Sequence, residues 1–161
     1  MFSQLIIAVT FLFAMILSVF RLPDSLPLML AYLRPEWITL VLIYWAIALP
    51  KTVGMKSAWI IGLLTDALLG SLLGLHAFVF MLVVYISSSL YQRLRMMASW
   101  QQSLFVFAVI FLSQSVFFWT GQITGTVQWT NLYFLPSIIS ALLWPWIFII
   151  LRSVRRKFNI S

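Results

Sequence analysis

The chain has no cysteine, one histidine and three acidic side chains among 161 residues. Without cysteine there are no disulfides, thiolate nucleophiles or Cys-based metal sites, and the redox compartment is left open. With one histidine and no paired carboxylates there is no HExxH motif and no basis for metal catalysis. A glycine-rich phosphate loop is also missing. Ser87, Ser88 and Ser89 have no basic partner to activate them and read as helix-packing residues or as hydrogen-bonders to the preceding turn. No catalytic residue, metal site or cofactor is expected, and the chain is not expected to be an enzyme.

What the chain does have is apolar length. Hydrophobic residues make up 63% and charged residues 8%, against roughly 45–50% and about 25% in soluble domains. That departure points to an all-α integral membrane protein. The net charge of +7 comes from basic residues at predicted helix ends, with no soluble domain to carry a nucleic-acid groove, so it reads as topology. Three clusters carry it: Lys51 and Lys56; Arg93 and Arg95; Arg152, Arg155, Arg156 and Lys157. The first 20 residues hold no charged side chain. They lack a basic n-region, and Ser18-Val19-Phe20-Arg21 lacks a small-x-small cleavage site, so they read as a retained first span.

A crossing takes about 20 apolar residues. The sequence divides into about six spans, at 3–20, 35–50, 57–72, 74–91, 103–120 and 132–151, forming one polytopic membrane domain over 1–161. Leu26 to Leu33 is apolar but too short to cross and is expected at the interface. The second span opens at Pro35 and Glu36, suited to a helix start, and stops at Pro50. Its shortness implies tilt, local thinning or shelter by other helices. Residues 57–90 lie between two basic clusters, so an even number of crossings must separate them. As helix they extend about 51 Å, whereas two crossings need about 60 Å. Two short helices meeting near Gly70 to Gly74 are favoured, with a re-entrant hairpin as the alternative. Residues 91–101 read as a cytoplasmic connector and Gly121 to Asn131 as an outside loop. With each basic cluster inside, both termini are cytoplasmic.

Asp66 is the one carboxylate expected within the membrane, where a charge is costly unless paired or hydrated. Ala58, Gly62, Asp66, Gly70 and Gly74 recur every four residues, a slowly winding stripe. Small residues at that spacing let backbones approach, and Gly70 and Gly74 make a GxxxG pair. Three readings stay open: packing within the chain with Asp66 on an internal donor, docking of a partner's transmembrane helix, or a substrate or ion site. A turn at Gly70 would instead assign the last two glycines to the hairpin. His76 could pair with Asp66. Trp37, Trp59, Trp100 and Trp119 fall near helix ends, as interfacial indoles do. Trp144-Pro145-Trp146 lies inside the sixth span, where Pro145 should bend the helix beside two large rings. That bend would shape a docking groove or serve internal packing.

Several stretches together resemble the bacterial rod shape-determining protein MreD family, of the proteobacterial type. They are Arg34-Pro35-Glu36-Trp37, Tyr44-Trp45, Ala48-Leu49-Pro50, Gly62 to Asp66 to Gly70 with Leu73-Gly74, Trp100-Gln101-Gln102, and Leu143 to Phe148. The resemblance implies a non-enzymatic inner-membrane scaffold of the cell-elongation (rod) complex. It would bind the bitopic protein MreC and support rod shape and lateral peptidoglycan synthesis, with MreB filaments and the polymerase and transpeptidase reached indirectly. It also implies a fold similar to the substrate-binding subunits of vitamin-uptake (ECF-type) transporters. The rival reading is therefore a small-molecule-binding subunit of a membrane transporter.

Overall fold

A computed structural model describes residues 2–19, 34–125 and 131–158. Among these there are seven α-helices, one 3-10 turn (Asn131–Phe134) and no strand. The helices are α1 (Phe2–Val19), α2 (Trp37–Ala48), α3 (Met55–Leu69), α4 (Leu75–Ser89), α5 (Tyr91–Met96), α6 (Ser99–Ile123) and α7 (Leu135–Lys157). The stretch from Leu26 to Leu33, expected at the interface, lies outside the described residues. By length and composition α6 and α7 suffice to cross a membrane, while the apolar stretches Gln4–Val19, Trp37–Ala48 and Leu75–Ser89 are shorter.

The stretch at 57–90 forms two helices of 15 residues, each about 22 Å long. They pack closely side by side. A Cβ placed on Gly62 would overlap the backbone of Ala77, so α3 and α4 approach as closely there as a missing side chain permits.

Helix α2 is apolar on every side, and all residues from Ile38 to Ala48 are buried. A helix without a polar face must be surrounded, and α2 is contacted by α1, α4, α5, α6 and α7. Of the three explanations for its shortness, shelter by other helices is the one these contacts display over its 12 residues. Both its ends are tied. At the C-terminal end Arg95 donates from Nε to the Ile47 carbonyl (3.0 Å) and from Nη2 to the Ala48 carbonyl (2.5 Å), satisfying acceptors the helix cannot pair itself. At the other end the Glu36 amide donates to Ser140 Oγ at 3.0 Å. In its last turn, the Trp45 indole N–H donates to Thr10 Oγ1 at 3.0 Å, joining α1 to α2.

Two helices run further than expected. α6 begins at Ser99, where the Gln101 side chain accepts the Ala98 amide at 3.2 Å, half of a capping box. It continues to Ile123, so the connection expected as an outside loop over Gly121 to Asn131 starts later than expected. α7 continues to Lys157. Its basic residues are thus the last turns of a helix, where positive charge meets the negative end of the macrodipole. One end of the bundle gathers the end of α2, the start of α3, α5, the start of α6 and the end of α7, and with them all three basic clusters. The opposite end gathers Glu36, Asp66 and a cavity.

Candidate functional site

The α3–α4 turn is built around Asp66. α3 stops because Gly70 takes a left-handed conformation (φ 66°), and Gly74 does so again (φ 96°) just before α4. Such φ values favour glycine. The Asp66 carbonyl accepts the Gly70 amide and the Ser71 amide (3.1 Å). Its carboxylate reaches across the turn. Oδ1 accepts the Ser71 hydroxyl at 2.7 Å, the His76 amide at 3.1 Å and the His76 ring Nδ1–H at 2.7 Å. Oδ2 accepts the Gly74 amide at 2.8 Å.

Gly74 occupies the N-cap position of α4 but has no side chain to cap with. Asp66 supplies the missing acceptor from the preceding helix, and places a negative charge at the positive end of α4. The fully buried carboxylate is thereby satisfied from within the chain. The stripe likewise divides by position. Gly62 and Asp66 face α4, and Ala58 is buried. Gly70 and Gly74 are turn residues with nothing within 4 Å of an added Cβ. The GxxxG pairing surface expected of these two is therefore corrected, because a glycine in the left-handed region belongs to a turn and not to a helix face.

The His76 ring lies against Phe117 (centroids 4.5 Å apart) and edge-on to Phe80 (5.8 Å). It lines a cavity of about 740 Å³, into which Arg34, Pro35, Trp37 and Gly70 also face. Apolar walls come from residues such as Leu17, Leu72 and Phe117, and polar groups from Glu36, Thr39 and Thr120. The Glu36 carboxylate accepts the Thr39 hydroxyl at 2.7 Å and the Gln114 amide at 3.5 Å. The Arg34 motif and the Asp66 motif, some thirty residues apart in sequence, are thus brought to one place.

Trp144, Pro145 and Trp146 lie elsewhere. The Trp144 ring is fully buried and donates from Nε1 to Gln102 Oε1 at 3.3 Å. Gln102 donates in turn to the Leu94 carbonyl at 2.8 Å, fastening the α5 connector. Trp146 points the other way and is 71% exposed. The two rings do not frame a common groove, since side chains two residues apart point to nearly opposite sides of a helix, and α7 runs through Pro145 from Leu135 to Lys157. Sequence reasoning missed the positioning roles of Ser71, Ser140 and Arg95. Arg95 carried a signal, a cation just beyond a buried helix, but read as a topology marker only. No group of three potential metal ligands occurs among the described residues.

Residues 1–154 match the family profile described as rod shape-determining protein MreD. The chain is also 38% identical over 125 residues to the Rod shape-determining protein MreD of Haemophilus influenzae, covering 78% of this chain and 77% of that one. No solved structure matches it. A profile match over nearly the whole length leaves one assignment: this chain belongs to the MreD family of rod shape-determining proteins.

Proposed function

We propose that the chain is a non-enzymatic, multi-pass scaffold of the bacterial inner membrane within the cell-elongation complex. It binds the bitopic protein MreC, supports rod shape and lateral peptidoglycan synthesis, and engages MreB filaments and the wall polymerase and transpeptidase indirectly. The observation that carries this reading is the family match over residues 1–154. The architecture agrees with it: side chains with polar chemistry are spent on holding helices to one another.

In this reading α1, α2, α3, α4, α6 and α7 span the bilayer as one domain, with the basic end in the cytoplasm and both termini there. Trp59, Trp100 and Trp119, all outward-facing near helix ends, sit at headgroup level. The partner's helix packs on the outer apolar face, because Gly62 and Asp66 are engaged inside and Gly70 and Gly74 belong to a turn. Trp146, exposed beside Leu142, Ile149 and Ile150 on one stripe of α7, is where that contact can be tested without disturbing the fold.

Depletion in the host should turn rods into spheres, and Trp146→Ala should reduce co-purification of the MreC-like partner with unfolding unchanged. Normal shape after depletion, with uptake of a nutrient lost, would reject the scaffold in favour of the rival transport subunit.

A further inference from the structure

Arg34 faces the cavity and its Nε is buried without an acceptor. Among the described residues no carboxylate forms an ion pair with it. The two nearby acids are already engaged. Glu36 is turned to Thr39 and Gln114, and Asp66 has four donors on its two oxygens. A buried N–H of a half-buried guanidinium left without an acceptor is costly, and an acceptor on a ligand would satisfy it. The planar fork of an arginine matches a phosphate or carboxylate with two parallel hydrogen bonds.

The remaining wall is mostly apolar, and a volume of about 740 Å³ falls within the range of small-molecule sites, roughly 300–1,000 Å³. The lining comes from the ends of α1, α3 and α6 and the starts of α2, α4 and α7. These helix ends terminate together, and in the topology proposed above they turn the cavity toward the outer headgroup region.

We propose that this cavity binds an amphiphile carrying a monoanionic phosphate, held by Arg34, with its apolar part against Leu17, Leu72 and Phe117. Arg34 is the one arginine or lysine among the described lining residues, which matches a single negative charge on the ligand. The shared chemistry is a phosphodiester on an apolar body, and it has two sources, a lipid of the surrounding leaflet or a soluble amphiphile. The inference is independent of partner binding.

The test uses the full-length protein in phosphatidylcholine nanodiscs doped with palmitoyl-oleoyl phosphatidylglycerol. A parallel arm uses detergent-solubilised protein with short-chain dihexanoyl phosphatidylglycerol, and both are read by native mass spectrometry. One saturable ligand is expected. Binding in both arms makes the bilayer a competent source, and binding of the short-chain compound alone places the source in solution. Arg34→Gln should weaken binding roughly tenfold to hundredfold, the range of a charged hydrogen-bonded contact, and Arg34→Lys should fall between. Lys51→Gln, at the opposite end, should bind as wild type. Thr120→Phe, which fills the cavity and leaves Arg34 in place, should abolish binding, and it decides the matter if Arg34→Gln fails to fold. No saturable site in either arm, Arg34→Gln within twofold of wild type, equal loss in Lys51→Gln, or unchanged binding by Thr120→Phe would each overturn the proposal.

Discussion

Removing the Asp66 carboxylate should unlock the α3–α4 turn, and the structure sets the size of the effect. Four hydrogen bonds end on this group. Bonds to a charged partner contribute about 1.5–3 kcal/mol each, but the four do not add. The Ser71 hydroxyl and His76 ring are free to rotate toward the cavity and find water. The Gly74 and His76 amides are fixed at the start of α4, and each costs about 1–3 kcal/mol when left unsatisfied. Asp66→Ala should therefore destabilise by about 3–5 kcal/mol, the range for breaking one side of a buried pair. Asp66→Asn should cost less, about 2–3 kcal/mol, because its carbonyl can replace Oδ1 while its NH₂ is set against the Gly74 amide. Unfolding in mixed micelles measures both, and hydrogen exchange should locate the loss at the amides of residues 74–78. A double-mutant cycle with His76→Phe should show coupling of about 1–3 kcal/mol. An Asp66→Ala protein within about 1 kcal/mol of wild type, or exchange changes spread evenly over the bundle, would refute the staple.

The other expectations follow from single contacts. Gly62→Ala forces a methyl group into the Ala77 backbone and should cost about 1–3 kcal/mol by overpacking, read by micelle unfolding. Gly70→Ala meets no neighbour and should cost only the left-handed backbone penalty, about 1–2 kcal/mol, in the same assay. Arg95→Gln uncaps the Ile47 and Ala48 carbonyls and should cost about 1–3 kcal/mol, with Arg95→Lys recovering little because one ammonium cannot reproduce the fork. Because the chain has no cysteine, single cysteines at positions 54, 95 and 125 can be labelled with an impermeant reagent in whole cells. Position 125 should react and the other two should not, and labelling at 95 would reject the topology.

Helix positions were legible in the sequence because apolar runs, prolines and basic residues act locally. Pro50 and the left-handed glycines stop helices wherever the chain goes next. The centre of the bundle was harder to read. The composition of α2 is that of any apolar span, and only its neighbours make it a surrounded helix; its shortness was the trace of that in the sequence. The role of Asp66 was legible in one half. A carboxylate among apolar residues has to find donors, so an internal partner could be argued, and His76 named. That the donors would include the amides of Gly74 and His76 depends on where the turn falls, which spacing alone left between a pairing face and a hairpin. Arg34 shows where sequence reasoning stops altogether. An arginine two residues from a glutamate reads as a neutralised pair, yet Glu36 is taken by Thr39 and by Gln114 from α6. Contacts made across 78 residues of chain leave the guanidinium without its nearest acid, and that tertiary competition turns a helix-start motif into the charged wall of a cavity.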